Sequence, residues 1–366
     1  MINDLDKAIL DASLKSLSIQ NNDGSFCPGH NGPYRHKETP LRNTAHWLIV
    51  ICYLIDLDKT SKRNTALLTE AANKAVGYLL SEIARPHGYS FFCREHQGKD
   101  SCNGLIGQAW VIEGLLEAYR VLGIVNARKV ALEVFLLHPF NFDKGLWTRV
   151  EIDGNLLGFD YTFNHQLWFA AIASELDNKD ASERVKIFFD KVARNIEIYN
   201  DGIIFHAANV ERFQFLDFRN PIRLIKLLKS KLIEKKIRNN LYIKSVGYHS
   251  FNLYAFAILK YTQILKDDDF WNSDSFRKMY NVTTNSLYIE NLDNNKYAWT
   301  YNPPGIELAY FGKVFSLGEE YIKKWLYMQT ERTFDNLRND LMTRNSLDIS
   351  TSSARIYEAV RFLKLK

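Results

Sequence analysis

Strongly apolar segments alternate along this chain with segments in which apolar and charged residues share a helical period. The first kind has almost no polar stripe, which is typical of helices buried on most sides. These apolar segments are Ala45–Leu57, Ile106–Leu122, His165–Leu176, Tyr248–Leu265 and Ile306–Phe315. The second kind, typical of helices with one solvent face, comprises Thr65–Ala84, Asn126–Leu137, Asp180–Ile198, Pro221–Arg238, Asp274–Ile289, Gly318–Thr330 and Thr351–Leu363. The pattern therefore predicts inner and outer helices.

A short repeat precedes the apolar segments. A glycine or lysine begins an apolar, aromatic run at Gly24–Phe26, Gly88–Phe92, Gly145–Trp147, Gly202–Phe205 and Lys296–Trp299. Helix pairs that recur in this way form either a closed ring or an open solenoid, and the uneven spacing of the runs favours the ring. We therefore predict an all-α fold, an (α/α)5-6 toroid of inner and outer helices with short β-hairpins or loops at its funnel mouth. Residues 1–366 are expected to form one domain.

Composition agrees with a globular protein that has a large core. The chain has 366 residues, of which 46% are hydrophobic, and its 47 basic and 42 acidic residues leave a net charge of +5. This charge gives no reason to expect a nucleic-acid partner. The longest apolar stretch, Trp47–Ile55, is too short to span a bilayer, so no transmembrane segment is expected. The acidic N-terminal residues lack the pattern of a secretory signal, which predicts a cytoplasmic protein.

The cysteines and histidines do not predict a metal site. Cys27, Cys52, Cys93 and Cys102 form no CxxC pair, so four free thiols in a reducing compartment are expected. The histidines lack the spacing of a ligand set, and no nucleotide-binding glycine motif is present. We therefore expect neither a metal nor a cofactor.

Polar and aromatic residues collect just before and within the first turns of the predicted inner helices, where the funnel mouth is expected. Rings stack on sugar faces, whereas amides, carboxylates and guanidinium groups bind hydroxyls and acidic groups. The predicted substrate-binding residues are Arg42, His46, Trp47, Asn103, Gln108, Trp110, Arg149, Asp160, Gln166, Trp168, Trp299, Tyr301 and Glu307. The same positions also hold Tyr34, Arg94, His96, His206 and Asn302, without individual roles. The plain alternative is that residues such as Asn103 and Asp160 are ordinary helix caps.

Two motifs give the catalytic prediction. Asn164-His165 is followed by Trp168 at the start of one inner helix, and Tyr248-His249 stands at the start of a later one. This pattern resembles the alginate lyase family of (α/α) toroids. The resemblance implies that Asn164 neutralises a uronate carboxylate, that His165 is the base and that Tyr248 is the acid, with His249 beside it. The arginine that this family places shortly before the tyrosine has no match here, and Lys244 is the nearest basic residue.

A second resemblance concerns residues 103–119. This segment is similar to an inner helix of N-acylglucosamine 2-epimerases and glucuronyl 5-epimerases, which are also (α/α) toroids. The N-acylglucosamine enzymes use two histidines, the second of them late in the chain. His249 is the last histidine here, so that pair has no obvious match.

These features predict a carbohydrate-active enzyme for an acidic, uronate-containing glycan. The resemblances imply a bacterial surface polysaccharide and proton abstraction next to the carboxylate, by a lyase or an epimerase. One alternative is a glycoside hydrolase of the unsaturated-glucuronyl type, which needs two carboxylates such as Asp160, Glu113 or Glu307. Another is an inactive toroid that binds sugars or proteins. The sugar, its linkage and the oligomeric state stay open.

Two further segments carry predictions. The basic segment 219–244 is a candidate for peripheral contact with a membrane or an acidic partner, with a solvated helix face as the plain alternative. In the tail, Arg355 and Glu358 lie three residues apart, a spacing at which they pair on one helix face. We expect that tail to form the helix that closes the ring.

Overall fold

The computed structural model describes residues 15, 17–57, 62–208, 222–335 and 342–365, and for residues 62–63 and 222–238 it describes the backbone only. The described elements, in chain order, are α1 (Leu41–Leu57), α2 (Lys62–Leu79), α3 (Gly104–Leu122), α4 (Val125–Leu137), β1 (Phe140–Asn141), β2 (Leu146–Val150), β3 (Leu156–Phe159), α5 (Phe163–Ala173), α6 (Lys179–Phe188), α7 (Ile222–Tyr261), α8 (Asp274–Asn281), α9 (Ser286–Asp293), α10 (Pro304–Val314), α11 (Glu319–Thr333), α12 (Ile349–Ala354) and α13 (Glu358–Lys364).

The inner helices form the closed (α/α) toroid that the sequence predicts. Helix α1 packs on α3, α3 on α5, α5 on α7, α7 on α10 and α10 on α13. The ring closes where the 3₁₀ turn Arg355–Tyr357 and α13 pack against α1. Apolar residues of these helices make one continuous core, which includes the fully buried Trp168 and Tyr254. The even apolar pattern of the inner segments thus reflects burial on nearly all sides.

The outer helices cover this ring, each beside the inner helix that it follows or precedes. Helix α2 packs on α1, α4 on α3, α6 on α5 and α11 on α10. Between α4 and α5, the three strands form an antiparallel sheet in the order β1-β2-β3, with Phe140 opposite Trp147. This sheet contains the Gly145–Trp147 run, and Gln20 and Phe26 form an isolated bridge at the first run. The runs therefore do form short hairpins or loops ahead of inner helices.

Element boundaries differ from the predicted ones for identifiable reasons. Inner helices begin earlier than the apolar pattern does, because polar residues of the site occupy their first turns. Helix α1 starts at Leu41 and α5 at Phe163, so Arg42 and Asn164 are helical. The segment predicted as one helix over Asp274–Ile289 is divided into α8 and α9, because the Asn285 side chain accepts the Leu287 N–H and caps a new helix.

The tail corrects one prediction and agrees with another. Its charged residues placed Thr351–Leu363 among the outer segments, yet Ile356, Tyr357 and Glu358 are buried inside the ring. The reason is that the charges pair in the interior, where Arg355 lies 2.6 Å from Glu358. The two expectations, that this segment closes the ring and that Arg355 pairs with Glu358, are therefore met.

Helix α7 runs without a break from Ile222 to Tyr261, where the pattern predicted two separate helices. The side chains of residues 209–238 lie outside the described residues, so membrane contact through segment 219–244 stays a prediction. Over the part of the chain that the structure describes, no helix is both long and apolar enough to cross a membrane.

Candidate active site

A cavity of about 470 Å³ opens at the end of the ring where the inner helices begin. We call it the funnel cavity. It is lined by Asn31, Tyr34, His36, Arg94, Lys99, Asn103, Ile106, Trp110, Thr162, Asn164, His165, His206, Lys244, Tyr248, Phe251, Tyr297, Tyr301, Asn302 and Arg355. Its volume is in the ordinary range for small-molecule sites. Among these described lining residues there is no aspartate and no glutamate, whereas four are lysine or arginine.

A histidine and a carboxylate form the best-organised pair at this cavity. His165 Nδ1 lies 2.9 Å from Asp160 Oδ2. A carboxylate oxygen accepts, so Nδ1 carries the proton, and in the neutral ring Nε2 then holds a free lone pair. The His165 side chain is 24% exposed and lines the cavity, whereas Asp160 is buried behind it. The arrangement leaves Nε2 available as a proton acceptor towards the cavity.

The N-terminus of α3 holds Asp160 in place and ionised. Leu105 N–H donates to Asp160 Oδ2 and Thr162 N–H donates to Oδ1, both at 3.1 Å. Burial opposes the charge, but His165 and these two N–H groups outweigh it and lower the pKa of Asp160 to about 2. The positive end of the α3 dipole acts in the same direction.

A glycine makes room for the pair. Gly104 adopts a φ of +59°, and a Cβ built there would lie 2.5 Å from Asp160 Oδ2 and 2.9 Å from His165 Nδ1. Both the backbone conformation and the space therefore require glycine at this position.

Three tyrosines form an ordered chain of hydroxyl groups across the cavity. Tyr301 donates to Asn31 Oδ1 at 2.8 Å, and Tyr248 donates to Tyr301 at 3.4 Å. Because the Tyr248 proton is used in this way, Tyr34, 2.9 Å away, must donate to Tyr248. Burial raises the pKa of Tyr34 and Tyr248 well above the usual value, so both hydroxyls stay protonated at neutral pH.

Two more polar side chains face the cavity beside His165. Asn164 is 3% exposed, and its Oδ1 has no hydrogen-bond partner among the described residues. The His206 ring lies 5.0 Å from the Tyr248 ring, and burial lowers the pKa of His206 to about 3. His206 is therefore a neutral imidazole at neutral pH.

Buried ion pairs support the base of the cavity. Arg42 donates to Asn31 Oδ1 at 3.1 Å, pairs with Glu38 at 3.3 Å, and stacks 4.1 Å from the Trp110 ring centre. Arg355 contacts both Glu307, at 3.3 Å, and Glu358. One cation serves two carboxylates there, so burial raises the pKa of Glu307 to about 7 despite Arg355. These pairs fix the lining residues; Arg355 itself lines the cavity, whereas its partners Glu307 and Glu358 do not.

No family model matches the chain. Archaeal glycosylation protein Q of Haloferax volcanii is 40% identical over 359 residues, which cover 94% of each chain. The chain belongs to the archaeal glycosylation protein Q family. Because that relative is archaeal, it gives no support to the bacterial origin that the resemblances implied.

Several solved toroids, all of them named as carbohydrate-active enzymes, are similar in fold to this archaeal glycosylation protein Q family member. Cellobiose 2-epimerase of Bacillus thermoamylovorans has a TM-score of 0.66 at 10% identity, covering 99% of this chain and 98% of its own. A D-mannose isomerase has 0.61 at 11% identity, covering 98% and 96%. An α-1,6-mannanase of Salegentibacter has 0.51 at 10% identity, covering 100% of both. At such low identity, these similarities establish the toroid fold.

Some of the predicted site residues meet at the funnel cavity of this family member. Those that line it are Asn103, Trp110, Asn164, His165, Tyr248 and Tyr301. Asp160 and Arg42 lie directly behind the lining and orient it. The resemblance to the lyases thus identified residues that the fold does bring together, although their roles stay predictions.

His249 does not belong to this group. It is fully buried, its Nδ1 accepts the Ile204 N–H at 3.1 Å, and its Nε2 lies 2.8 Å from the Met279 carbonyl. Both ring nitrogens are engaged with backbone and His249 is absent from the described lining, so the predicted catalytic role has no geometric basis.

Several predicted substrate-binding residues are also structural. Gln108 bonds both backbone groups of Phe91, and Gln166 bonds both backbone groups of Trp147. Arg149 pairs with Asp100 at 3.2 Å and bonds the Leu157 carbonyl. The others lie in the core or below the lining, because large rings and paired charges fill the ring interior: His46, Trp47, Trp168, Trp299 and Glu307.

The sequence reasoning gave no role to several lining residues. Asn31, His36, Lys99, Lys244 and Tyr297 come from loops or from the middle of α7, where the apolar pattern marks no helix start. Lys244 was noted as the basic residue nearest upstream of Tyr248 and as the last residue of the basic segment 219–244. A spacing of four residues between Lys244 and Tyr248, one helical turn, was the available signal.

Proposed function

We propose that this protein is a sugar epimerase or isomerase that transfers a proton on an acidic sugar used in glycosylation. The observation that carries the proposal is the Asp160–His165 pair, which leaves His165 Nε2 free at a cavity lined by cations. The names of the epimerase and isomerase toroids support this class of reaction, and the name of the relative supports a substrate used in glycosylation.

In the proposed reaction, His165 Nε2 takes the proton from a carbon next to a carbonyl or carboxylate group. The C–H electron pair then moves into an enolate, whose charge requires hydrogen-bond donors or cations. The lining tyrosine hydroxyls are such groups. Return of a proton to the opposite face gives the epimer, and return to the neighbouring carbon gives the isomer. Tyr248 is the proposed donor: its proton leaves the hydrogen bond to Tyr301 for the substrate carbon, and the proton that Tyr34 donates to Tyr248 replaces it.

Elimination and hydrolysis are the competing reactions. Departure of a leaving group from the enolate gives a lyase, so this outcome uses the same residues. Hydrolysis normally needs two carboxylates about 5–9.5 Å apart. In the described lining there is no carboxylate, Asp160 is occupied by His165, and Glu113 is paired with Arg361. The geometry therefore favours proton transfer.

Solvent exchange tests this proposal. The enzyme is incubated in D₂O with glucuronic acid in free and phosphate-linked forms, and deuterium uptake is followed by mass spectrometry. We expect exchange with the wild type, loss of at least 100-fold in His165→Gln, and a similar loss in Tyr248→Phe. His87→Gln serves as the control because His87 is exposed and lies outside the cavity lining.

The outcomes separate the candidates. Exchange without cleavage indicates epimerisation or isomerisation, whereas absorbance near 235 nm indicates an unsaturated product of elimination. Release of reducing sugar without exchange would contradict the proposal and favour hydrolysis. Sugar binding without exchange or cleavage would favour an inactive binding protein.

A further inference from the structure

Basic side chains gather at the edge of the funnel cavity where the loops before α1 and α3 meet α7. We call this group the basic rim and define it as His36, Arg94, His96, Lys99, Lys244 and Lys296. The His36 and His96 rings lie 4.2 Å apart. Lys244 Nζ is 5.4 Å from the Tyr34 ring centre, and Lys244 and Lys296 lie 5.9 and 5.1 Å from that of Tyr297.

Most of this charge has no acidic partner within the described residues. Arg94 is compensated by Asp100 at 2.9 Å. No described carboxylate forms an ion pair with Lys99, Lys244 or Lys296. Lys244 is half-buried, and burial together with Lys296 and Lys99 lowers its pKa. A half-buried lysine beside like charges is unfavourable until an anion joins it.

The basic rim has more positive charge and more hydrogen-bond donors than one carboxylate can neutralise and satisfy. A uronate brings a single negative charge and two oxygens, and in the proposed reaction that group lies beside the reacting carbon at His165. A phosphate attached to the sugar adds one further negative charge as a diester and two as a monoester or a diphosphate bridge, with at least two more acceptor oxygens, which suits several lysine and histidine donors converging from different loops.

We propose that the basic rim binds a phosphate group esterified to the sugar, so that the substrate is a phosphate-linked sugar and not a finished polysaccharide. This inference deepens the proposed function and rests on it for the orientation of the sugar towards His165. The phosphate has two chemical sources, a nucleoside diphosphate or an isoprenoid lipid phosphate. Both present phosphate oxygens to the rim: the nucleoside diphosphate carries two negative charges and the lipid phosphodiester one, and the two differ in the group beyond the phosphate.

Calorimetric titration of the full chain tests this inference. Binding is measured in the His165→Gln background, where the proposed chemistry is blocked, for glucuronic acid, glucuronic acid 1-phosphate, UDP-glucuronic acid and a short-chain isoprenyl phosphate. The same titrations are repeated after adding Lys99→Gln, Lys244→Gln or both. Lys324→Gln is the matched control, since Lys324 is an exposed lysine on the outer helix α11.

We expect the phosphate ester to bind at least tenfold more tightly than glucuronic acid. The double variant should lose that advantage, and raising the salt concentration should weaken it. Lys324→Gln should leave it unchanged. Tighter binding of the nucleotide sugar or of the isoprenyl phosphate identifies the source. Lys99 is exposed, so its single variant keeps the test valid if the double variant unfolds.

Two results would separate this inference from the proposed function. Deuterium exchange on free glucuronic acid, with no gain in affinity from a phosphate, would overturn the phosphate site alone. Tight, lysine-dependent phosphate binding by a wild-type protein that catalyses no exchange would leave the site standing and contradict the proposed function alone. A phosphate advantage that persists in the double variant would also overturn the assignment to the basic rim.

Discussion

Asp160 shows how a single carboxylate is committed to orienting another residue. Its oxygens accept from His165 and from two backbone N–H groups, so little of its hydrogen-bonding capacity is left for a ligand. The carboxylate fixes the His165 tautomer and stabilises the imidazolium that forms when Nε2 accepts a proton, as in other His–Asp pairs.

Asp160→Asn should therefore lower the exchange rate by about 10²- to 10⁴-fold with sugar affinity changed only a few-fold. The low pKa of Asp160 also stabilises the fold by about 2 kcal/mol above pH 4, the usual range of a free carboxyl, and this contribution is lost as pH falls through about 2. Denaturant unfolding of Asp160→Asn at pH 7 should show that this contribution to the free energy of unfolding is missing. Full activity in Asp160→Asn would contradict the orienting role.

His249 occupies a position that recurs through the fold. Thr44, Gln108, Gln166 and His249 each lie on an inner helix, and each accepts the backbone N–H of the run that precedes that helix in the chain. The N–H groups belong to Phe26, Phe91, Trp147 and Ile204. At this position His249 therefore accepts the same backbone hydrogen bond that a glutamine accepts on two other inner helices.

Substitution by glutamine distinguishes the two roles of His249. If the role is structural, His249→Gln should keep most of the stability and activity, whereas His249→Ala should cost about 1–3 kcal/mol by leaving buried backbone groups unpaired. Thermal unfolding and solvent exchange on both variants provide the measurement. Equal loss of exchange in the two variants, with folding intact, would restore the catalytic assignment.

At the scale of elements, the apolar pattern predicts which segments are inner helices but not where they begin. The first turns of α1, α3 and α5 contain Arg42, Gly104 and Asn164, and a search for apolar residues assigns such polar or flexible residues to loops. The tryptophans cause the opposite error, because buried core residues were predicted to be sugar-binding residues. Trp147 and Trp168 recur around the ring because the core is packed with rings, and a sequence does not separate such rings from sugar-stacking ones.

The glycine at the start of α3 gives a prediction at this scale. Gly104→Ala places a Cβ against the Asp160–His165 pair and forces an unfavourable positive φ, so we expect a loss of about 1–3 kcal/mol and of most activity. Gly77→Ala is the control, because no atom lies within 4 Å of a Cβ there and the site is inside α2. That change should raise stability by about 0.5–1 kcal/mol. Unfolding curves and exchange rates that match between the two variants would contradict this account.

The whole ring depends on contacts between residues far apart in the chain. Arg361 of α13 bonds Glu113 of α3 and Glu175 at the end of α5, with distances of 2.6–3.0 Å, and so ties the last helix to the second and third inner helices. Arg355 ties the same segment to α10 nearer the funnel cavity. The sequence predicted closure by this tail, but the long-range partners of these arginines have no local signal.

The free energy of unfolding should fall in acid because of buried histidines in the ring such as His138. Burial lowers the pKa of His138 to about 4, while a histidine in the unfolded chain titrates near 6.5. Between these values the unfolded chain binds a proton that the folded chain does not, so stability present above about 6.5 is lost as pH falls towards 4. Removing His138 should cancel about 2 kcal/mol of the destabilisation between pH 7 and pH 5.

The comparison must be made between variants, because Glu307, with its pKa raised to about 7, binds a proton in the folded state over the same range and acts with the opposite sign. Subtracting the wild-type curve from that of His138→Gln removes this contribution and leaves that of His138. We expect His138→Gln to be less stable at pH 7, where the His138 Nδ1 contact to Val134 is lost, and to recover about 2 kcal/mol relative to wild type at pH 5. His87→Gln, at an exposed position, should run parallel to wild type. A difference between His138→Gln and wild type that does not change with pH would show that His138 binds its proton as readily in the folded chain as in the unfolded one.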